Sequence, residues 1–253
     1  MPKKYYLFTG ILMILVLGTG AVYASPSTTT NNDDIFQVST LNSLSAGNFD
    51  GNWTIGELRA HGDTGIGTFN GLDGEMIELN SNVYQIKSNG TVYLVNDSTN
   101  TPFAMTVPFK TDKILILNSS MNLTQLEQFL NATVPSKNMF YSIKVIGTFD
   151  SVKARSPQKQ NKPYPDLTTA LKNQTIFNFN NITGTMVGFW CPQYASNVNL
   201  NDYHFHFISR DKNSGGHVID CQLKGVLIEI DYIPNDTVLL SNGSVLNVNS
   251  SAN

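Results

Sequence analysis

Charge is sparse in this chain, and neither sign is concentrated. Lysine and arginine number 16 against 19 aspartates and glutamates in 253 residues, a formal net charge of −3. No basic patch or sustained charge run occurs, so nothing invites a phosphate backbone or an anionic surface, and nucleic acid is excluded as a partner. Two glycine signatures of enzymes are also missing, Gly-x-Gly-x-x-Gly and Gly-x-Ser-x-Gly, and there is no internal repeat. Cysteine is down to Cys191 and Cys221, enough for one disulfide. A bridge suits an oxidising compartment, and a pair of buried free thiols is the alternative. Histidine occurs only four times, yet His204, His206 and His217 share the stretch "DYHFHFISRDKNSGGHV".

The first residues point to export. Lys3 and Lys4 precede an apolar run from Tyr5 to Tyr23, and Val22 and Ala24 stand where small residues mark a cleavage site. Residues 1–24 read as a signal peptide, with an uncleaved membrane anchor as the alternative because the run approaches spanning length. A polar linker follows at 25–34. The folded part is expected outside the cytoplasm, exported or at the cell surface. Asn-x-Ser/Thr acceptor sites at Asn52, Asn89, Asn96, Asn118, Asn122, Asn131, Asn173, Asn181, Asn235, Asn242 and Asn249 read either as glycosylation sites or as a consequence of abundant asparagine.

The remainder reads as α+β, with mixed or antiparallel sheets and a few short helices. Short helices closed by glycine are expected in "STLNSLSAGNFDG" and "TIGELRAHGDTG". "GEMIELNSNVYQIKSNGTVYLVND" breaks at Asn80-Ser81-Asn82 and at Asn89-Gly90, which predicts an antiparallel meander. Leu123, Leu126, Phe129 and Leu130 recur at helical spacing. "FYSIKVIGTFDSVKARS" predicts a strand leading into a loop with Arg155, and "SPQKQNKPYP" a crossing between layers. Beyond it, "DLTTALKNQ" predicts a short helix, and "NITGTMVGFWCPQY", "DYHFHFIS", "GHVIDCQLKG" and "VLIEIDYI" predict strands. The expected domains are 35–160 and 161–253.

Strand alternation gives the histidines a common purpose. His204 and His206 project from one face while Phe205 and Phe207 project from the other. "SRDKNSGG" reads as a hairpin loop and "HVIDCQL" as the returning strand. If the register sets His206 against His217, three imidazoles converge from adjacent strands. Packing three imidazoles without a partner is costly, because each brings nitrogens that need satisfying. Three neutral imidazoles with an open fourth position describe a catalytic zinc site, and a polar pocket is the alternative. His61 stands alone and reads as structural.

With the histidines placed, the chain resembles the α-acetolactate decarboxylases. The resemblance rests on "IFQVSTLNSLSAGNFDG", "GTFNGLDGEMIEL", "VYQIKSNGTV", "TPFA", "GTFDSVKARS", "KPYPDL", "GTMVGFW", "YHFHFISRD" and "GGHVID", in family order from about Ile35 to Asp231. It implies Zn²⁺ on His204, His206 and His217, an active-site glutamate at Glu75, a catalytic and substrate-binding arginine at Arg155, and a pocket threonine at Thr68. Two packed β-rich domains, a homodimer and conversion of (S)-2-acetolactate to (R)-acetoin and CO₂ are implied as well. Without the resemblance, Glu75 reads as a surface residue at a strand start and Arg155 as a solvated loop arginine. One departure stands out. Family members commonly carry a tail glutamate that folds over the zinc, whereas no acidic side chain follows Asp236 here. Two other readings remain open at this point: a secreted zinc- or ligand-binding β module without catalysis, and a metal-assisted hydrolase.

Overall fold

The structure, a computed structural model, describes residues 33–240 and 245–249. The expected signal peptide or anchor, and nearly all of the linker, lie outside the described residues. Among the described residues no helix is long and apolar enough to cross a membrane.

The chain begins with β1 (Asp34–Val38), α1 (Leu41–Ser45), β2 (Trp53–Thr54), α2 (Ile55–Arg59), β3 (Thr64–Thr68), β4 (Glu75–Leu79), β5 (Asn82–Ile86) and β6 (Val92–Leu94). Next come β7 (Asn100–Thr101), β8 (Ala104–Val107), β9 (Lys113–Leu117), β10 (Met121–Asn122) and α3 (Leu123–Thr133). The second half holds β11 (Phe140–Ser156), α4 (Leu167–Ala170), β12 (Thr175–Cys191), β13 (Asp202–Ser209), β14 (Gly215–Ile233), β15 (Asn235–Leu239) and β16 (Val245–Asn249). The α+β class is as expected. So is the meander: Asn80 and Ser81 both take positive φ, 51° and 61°, which is the two-residue hairpin turn that matches strand twist.

Two sheets carry the structure. The first runs β16-β15-β1-β8-β3-β4-β5-β6, with β1 and β15 parallel. In the second, β11 pairs with both β12 and β14, and β13 also pairs with both β12 and β14. Those four strands therefore close into a ring. Phe149, Val152, Met186, Phe205, Phe207, Val218 and Leu223 fill it, and α3 adds Leu126 and Leu130. Glycine makes room for the aromatic rings: a Cβ at Gly188 would collide with Phe205, and one at Gly184 with Phe207. Outside the ring, Val187, Phe189 and Ile208 pack against Ile66, Ile77 and Ile86 of the first sheet.

Several expectations change. The described residues belong to one compact unit. A boundary at 160/161 would cut the second sheet, because β11 pairs along its length with strands from the other half, and β15 returns to β1. The proline-broken stretch after β11 connects two adjacent antiparallel strands of one sheet. Arg155 lies within β11 and not in a loop. The two strands expected at the chain's end are one, β14. Lys224 is an extra residue between the pairs Phe149–Leu223 and Thr148–Gly225, so the strand bulges and continues.

The disulfide is also corrected: Cys191 and Cys221 are both free and buried. Ile219 is a second extra residue, between the pairs Lys153–Asp220 and Ala154–Val218, and it reverses the alternation beyond His217. Cys221 therefore faces the ring interior, while Cys191 lies between the sheets. Their neighbours on β11 also differ, since Trp190 pairs with Tyr141 and Cys221 with Val152. That is roughly 30 Å or more of extended strand, against the about 7 Å Cα separation a disulfide tolerates.

Asp236, at the start of the β1–β15 pairing, is fully buried, and burial pushes its carboxyl up to about 8 from an ordinary 3.8. Its folded pKa lies above its unfolded one, so its contribution to stability is fully present below the unfolded value and is lost as pH rises toward 8. Asp236→Asn removes that loss. The variant should melt about 3 °C or more above wild type at pH 8, with a smaller gain at pH 5. Equal shifts at both pH values, in thermal melts of the two proteins, would show that Asp236 is not held protonated.

Candidate active site

Alternation along β13 sends Phe205 and Phe207 into the ring core, leaving His204 and His206 on the outer face. β14 returns with His217 directly opposite His206. β11, on the other side of β14, sets Arg155 directly opposite His217. One row across three strands thus reads His206, His217, Arg155. The first sheet supplies the facing wall, where Glu75 opens β4 opposite Thr68 of β3.

The imidazole nitrogens converge. His204 Nε2 lies 3.1 Å from His206 Nε2 and 3.0 Å from His217 Nδ1. His206 Nδ1 donates to the Met76 carbonyl at 2.6 Å, which leaves a lone pair on Nε2 pointing at the other two rings. Burial lowers all three rings, His206 to about 3 and His204 and His217 well below the ordinary imidazole range. They are neutral at physiological pH. Three neutral nitrogens this close have too few protons to satisfy one another, and His204 Nδ1 has no partner among the described residues. The donor set fits a divalent transition metal, and these three residues are grouped so that they can hold one.

Glu75 Oε2 sits 3.5 Å from His206 Nε2. Burial raises its carboxyl to about 7, against the opposing pull of the Arg155 charge. Thr68 donates its hydroxyl to the Gly74 carbonyl at 2.7 Å, so it steadies the turn that delivers Glu75. Arg155 donates from Nη1 to Gln174 Oε1 at 2.7 Å. All six expected site residues line one cavity of about 300 Å³. Apart from Ser45 its other walls are apolar and include Leu44, Leu72, Phe103, Leu167 and Leu171. Among the described residues Glu75 is the one carboxylate in that lining. The tail strands β15 and β16 join the edge of the first sheet, and Asp236 is buried away from the cavity. His61 stacks on Phe36 with ring centroids 3.7 Å apart, a structural histidine as expected.

The alpha-acetolactate decarboxylase family model matches residues 35–246, which contain every one of these groups. The chain belongs to the alpha-acetolactate decarboxylase family. Alpha-acetolactate decarboxylase of Methanosarcina mazei is 46% identical over 192 residues, covering 76% of this chain and 67% of that protein. The Bacillus licheniformis enzyme is 42% identical over 212 residues, 84% of each chain. The crystal structure of alpha-acetolactate decarboxylase from Bacillus subtilis strain 168 superposes with a TM-score of 0.81 at 40% identity, covering 83% of this chain and 89% of that one. The chain is accordingly an enzyme of a carboxy-lyase family.

Within this alpha-acetolactate decarboxylase frame, three features escaped the sequence. The Met76 carbonyl that fixes the His206 tautomer, the Gln174 amide on Arg155 and the leucine walls all depend on long-range packing and have no local motif. The metal site makes a direct prediction. With two imidazoles left, His206→Ala should retain less than about a tenth of the metal bound by wild type after dialysis. Unchanged metal content by elemental analysis would remove the three-histidine site.

Proposed function

We propose that the chain converts (S)-2-acetolactate to (R)-acetoin and CO₂, with zinc held by His204, His206 and His217. The observation that carries this reading is the meeting of three neutral imidazoles, one buried carboxyl and one guanidinium in a single apolar-walled cavity. Zinc held there by His204, His206 and His217 would supply Lewis acidity toward the oxygens of a hydroxy ketone. The names of the relatives, alpha-acetolactate decarboxylases, support the substrate.

The chain's own residues divide the rest of the work. Arg155 offers a planar fork to the substrate carboxylate and holds it deprotonated, as it must be to leave as CO₂. When that carbon–carbon bond breaks, its electron pair moves into the adjacent ketone and leaves an enediolate. Glu75, kept protonable near neutral pH by burial, returns one proton to the carbon that lost CO₂. Delivery from one wall of the cavity makes the product a single enantiomer. The leucine walls accept the substrate's methyl groups and exclude water. From the sequence we also propose export, on the strength of residues 1–24, and assembly as a homodimer, on the strength of the family resemblance.

Two substitutions test these roles. Glu75→Gln should lower acetoin production by ~10²–10⁴-fold while bound zinc stays at wild-type level. A loss of zinc in parallel with rate would make Glu75 a metal-orienting group instead. Arg155→Lys keeps the charge but loses the two parallel donors, and kcat/KM should fall by about tenfold or more. Colorimetric acetoin release from racemic acetolactate measures both. No acetoin from the wild-type, zinc-loaded protein would reduce it to a binding module.

A further inference from the structure

Arg155 and Gln174 meet across a connection that has no catalytic motif. Gln174 immediately precedes β12, following a 3₁₀ turn at Leu171–Asn173. Arg155 pairs with Ile176, so Gln174 is its diagonal neighbour on the same strand face. The same connection supplies Leu167 and Leu171 to the cavity wall. The amide oxygen of Gln174 accepts from Arg155 Nη1 at 2.7 Å, and both side chains are half-buried.

The chemistry of this acceptor matters as much as its place. Among the described residues no carboxylate lies within ion-pair distance of Arg155. Arginine has five N–H donors, and a neutral amide occupies one without cancelling the charge. A carboxylate at 174 would form a charge-assisted pair and compete with any anionic ligand for the same fork. An aliphatic residue would leave the guanidinium free to swing out of the cavity.

We propose that Gln174 is a positioning residue that holds the Arg155 guanidinium over the cavity while leaving its full charge for a substrate carboxylate. The inference rests on the proposed role of Arg155 as carboxylate binder, and it predicts a discrimination that a purely structural role would not produce. A carboxylate-bearing substrate analogue should lose affinity, while acetoin, which has no carboxylate, should not.

The test compares inhibition of the zinc-loaded enzyme by 2-hydroxy-2-methyl-3-oxobutanoate analogues that keep the carboxylate with inhibition by acetoin. Gln174→Ala should weaken the carboxylate inhibitor about tenfold, the scale of one hydrogen bond to a charged group, with acetoin within twofold of wild type. Gln174→Glu, which keeps the shape, should weaken the carboxylate inhibitor at least as much and raise KM more than it lowers kcat. Arg155→Ala is the control. If it weakens the carboxylate inhibitor and neither Gln174 variant does, the positioning role is overturned and the arginine's role stands. If Arg155→Ala itself spares the carboxylate inhibitor, the binding role of Arg155 fails and the role of Gln174 fails with it. Equal weakening of both inhibitors in the Gln174 variants would mark a general loss of cavity structure and also overturn the proposal.

Discussion

Everything at the site depends on the strand register that closes the ring. β13 must pair with β14 so that His206 faces His217, and β14 must pair with β11 so that His217 faces Arg155. A slip of one residue in either pairing would turn a whole row of side chains to the other face. The hydrophobic core prevents the slip. Phe205 and Phe207 fit over Gly188 and Gly184 only in the observed register, with their rings in space that any Cβ would occupy. The aromatic side of β13 therefore aims its histidine side.

Burial then does the electrostatic work. The same apolar surroundings that fill the cavity walls lower the imidazoles and raise Glu75, so bases lose their protons while an acid keeps its own. Arg155 works against this on Glu75 and in the same direction on the histidines, because a nearby positive charge always disfavours a second one. Neutral nitrogen donors are what metal binding requires. Burial pushes Glu75 toward the protonated form that proton delivery requires, while a cation held by the histidines would pull it the other way, as Arg155 does. No separate device is needed for each group.

The sequence made the histidine face legible because period-two alternation in "YHFHF" is a local property, and the glycine-rich hairpin fixed its return. The turn at Asn80-Ser81 and the capped helix at Leu123–Thr133 were legible for the same reason. Bulges were not. Ile219 and Lys224 each add one residue to β14, and nothing in their own identity announces it. Strict alternation past Ile219 would set Cys221 on the His217 face, whereas the ring core holds it. The division at 160/161 failed for a related reason: a proline-rich connection looks the same whether it joins two domains or two neighbouring strands. Gln174 belongs to that connection, which is why its contact with Arg155 had no signature.

The tail raises a question that the proton count answers. The resemblance implies a second, tail-borne glutamate, and among the described residues the cavity lining offers Glu75 as its carboxylate. On the proposed reaction, acetolactate enters as an anion, CO₂ leaves without a proton, and acetoin gains one hydrogen on carbon. A single proton is consumed in each turnover. One carboxyl can deliver it and be recharged from solvent once product leaves. Asp236 is no candidate for the second group, because it is sealed between β-strands and absent from the cavity lining. On the proposed reaction the described residues are then sufficient in protons: Arg155 would keep the departing carboxylate ionised, and Glu75 would supply the hydrogen that replaces it.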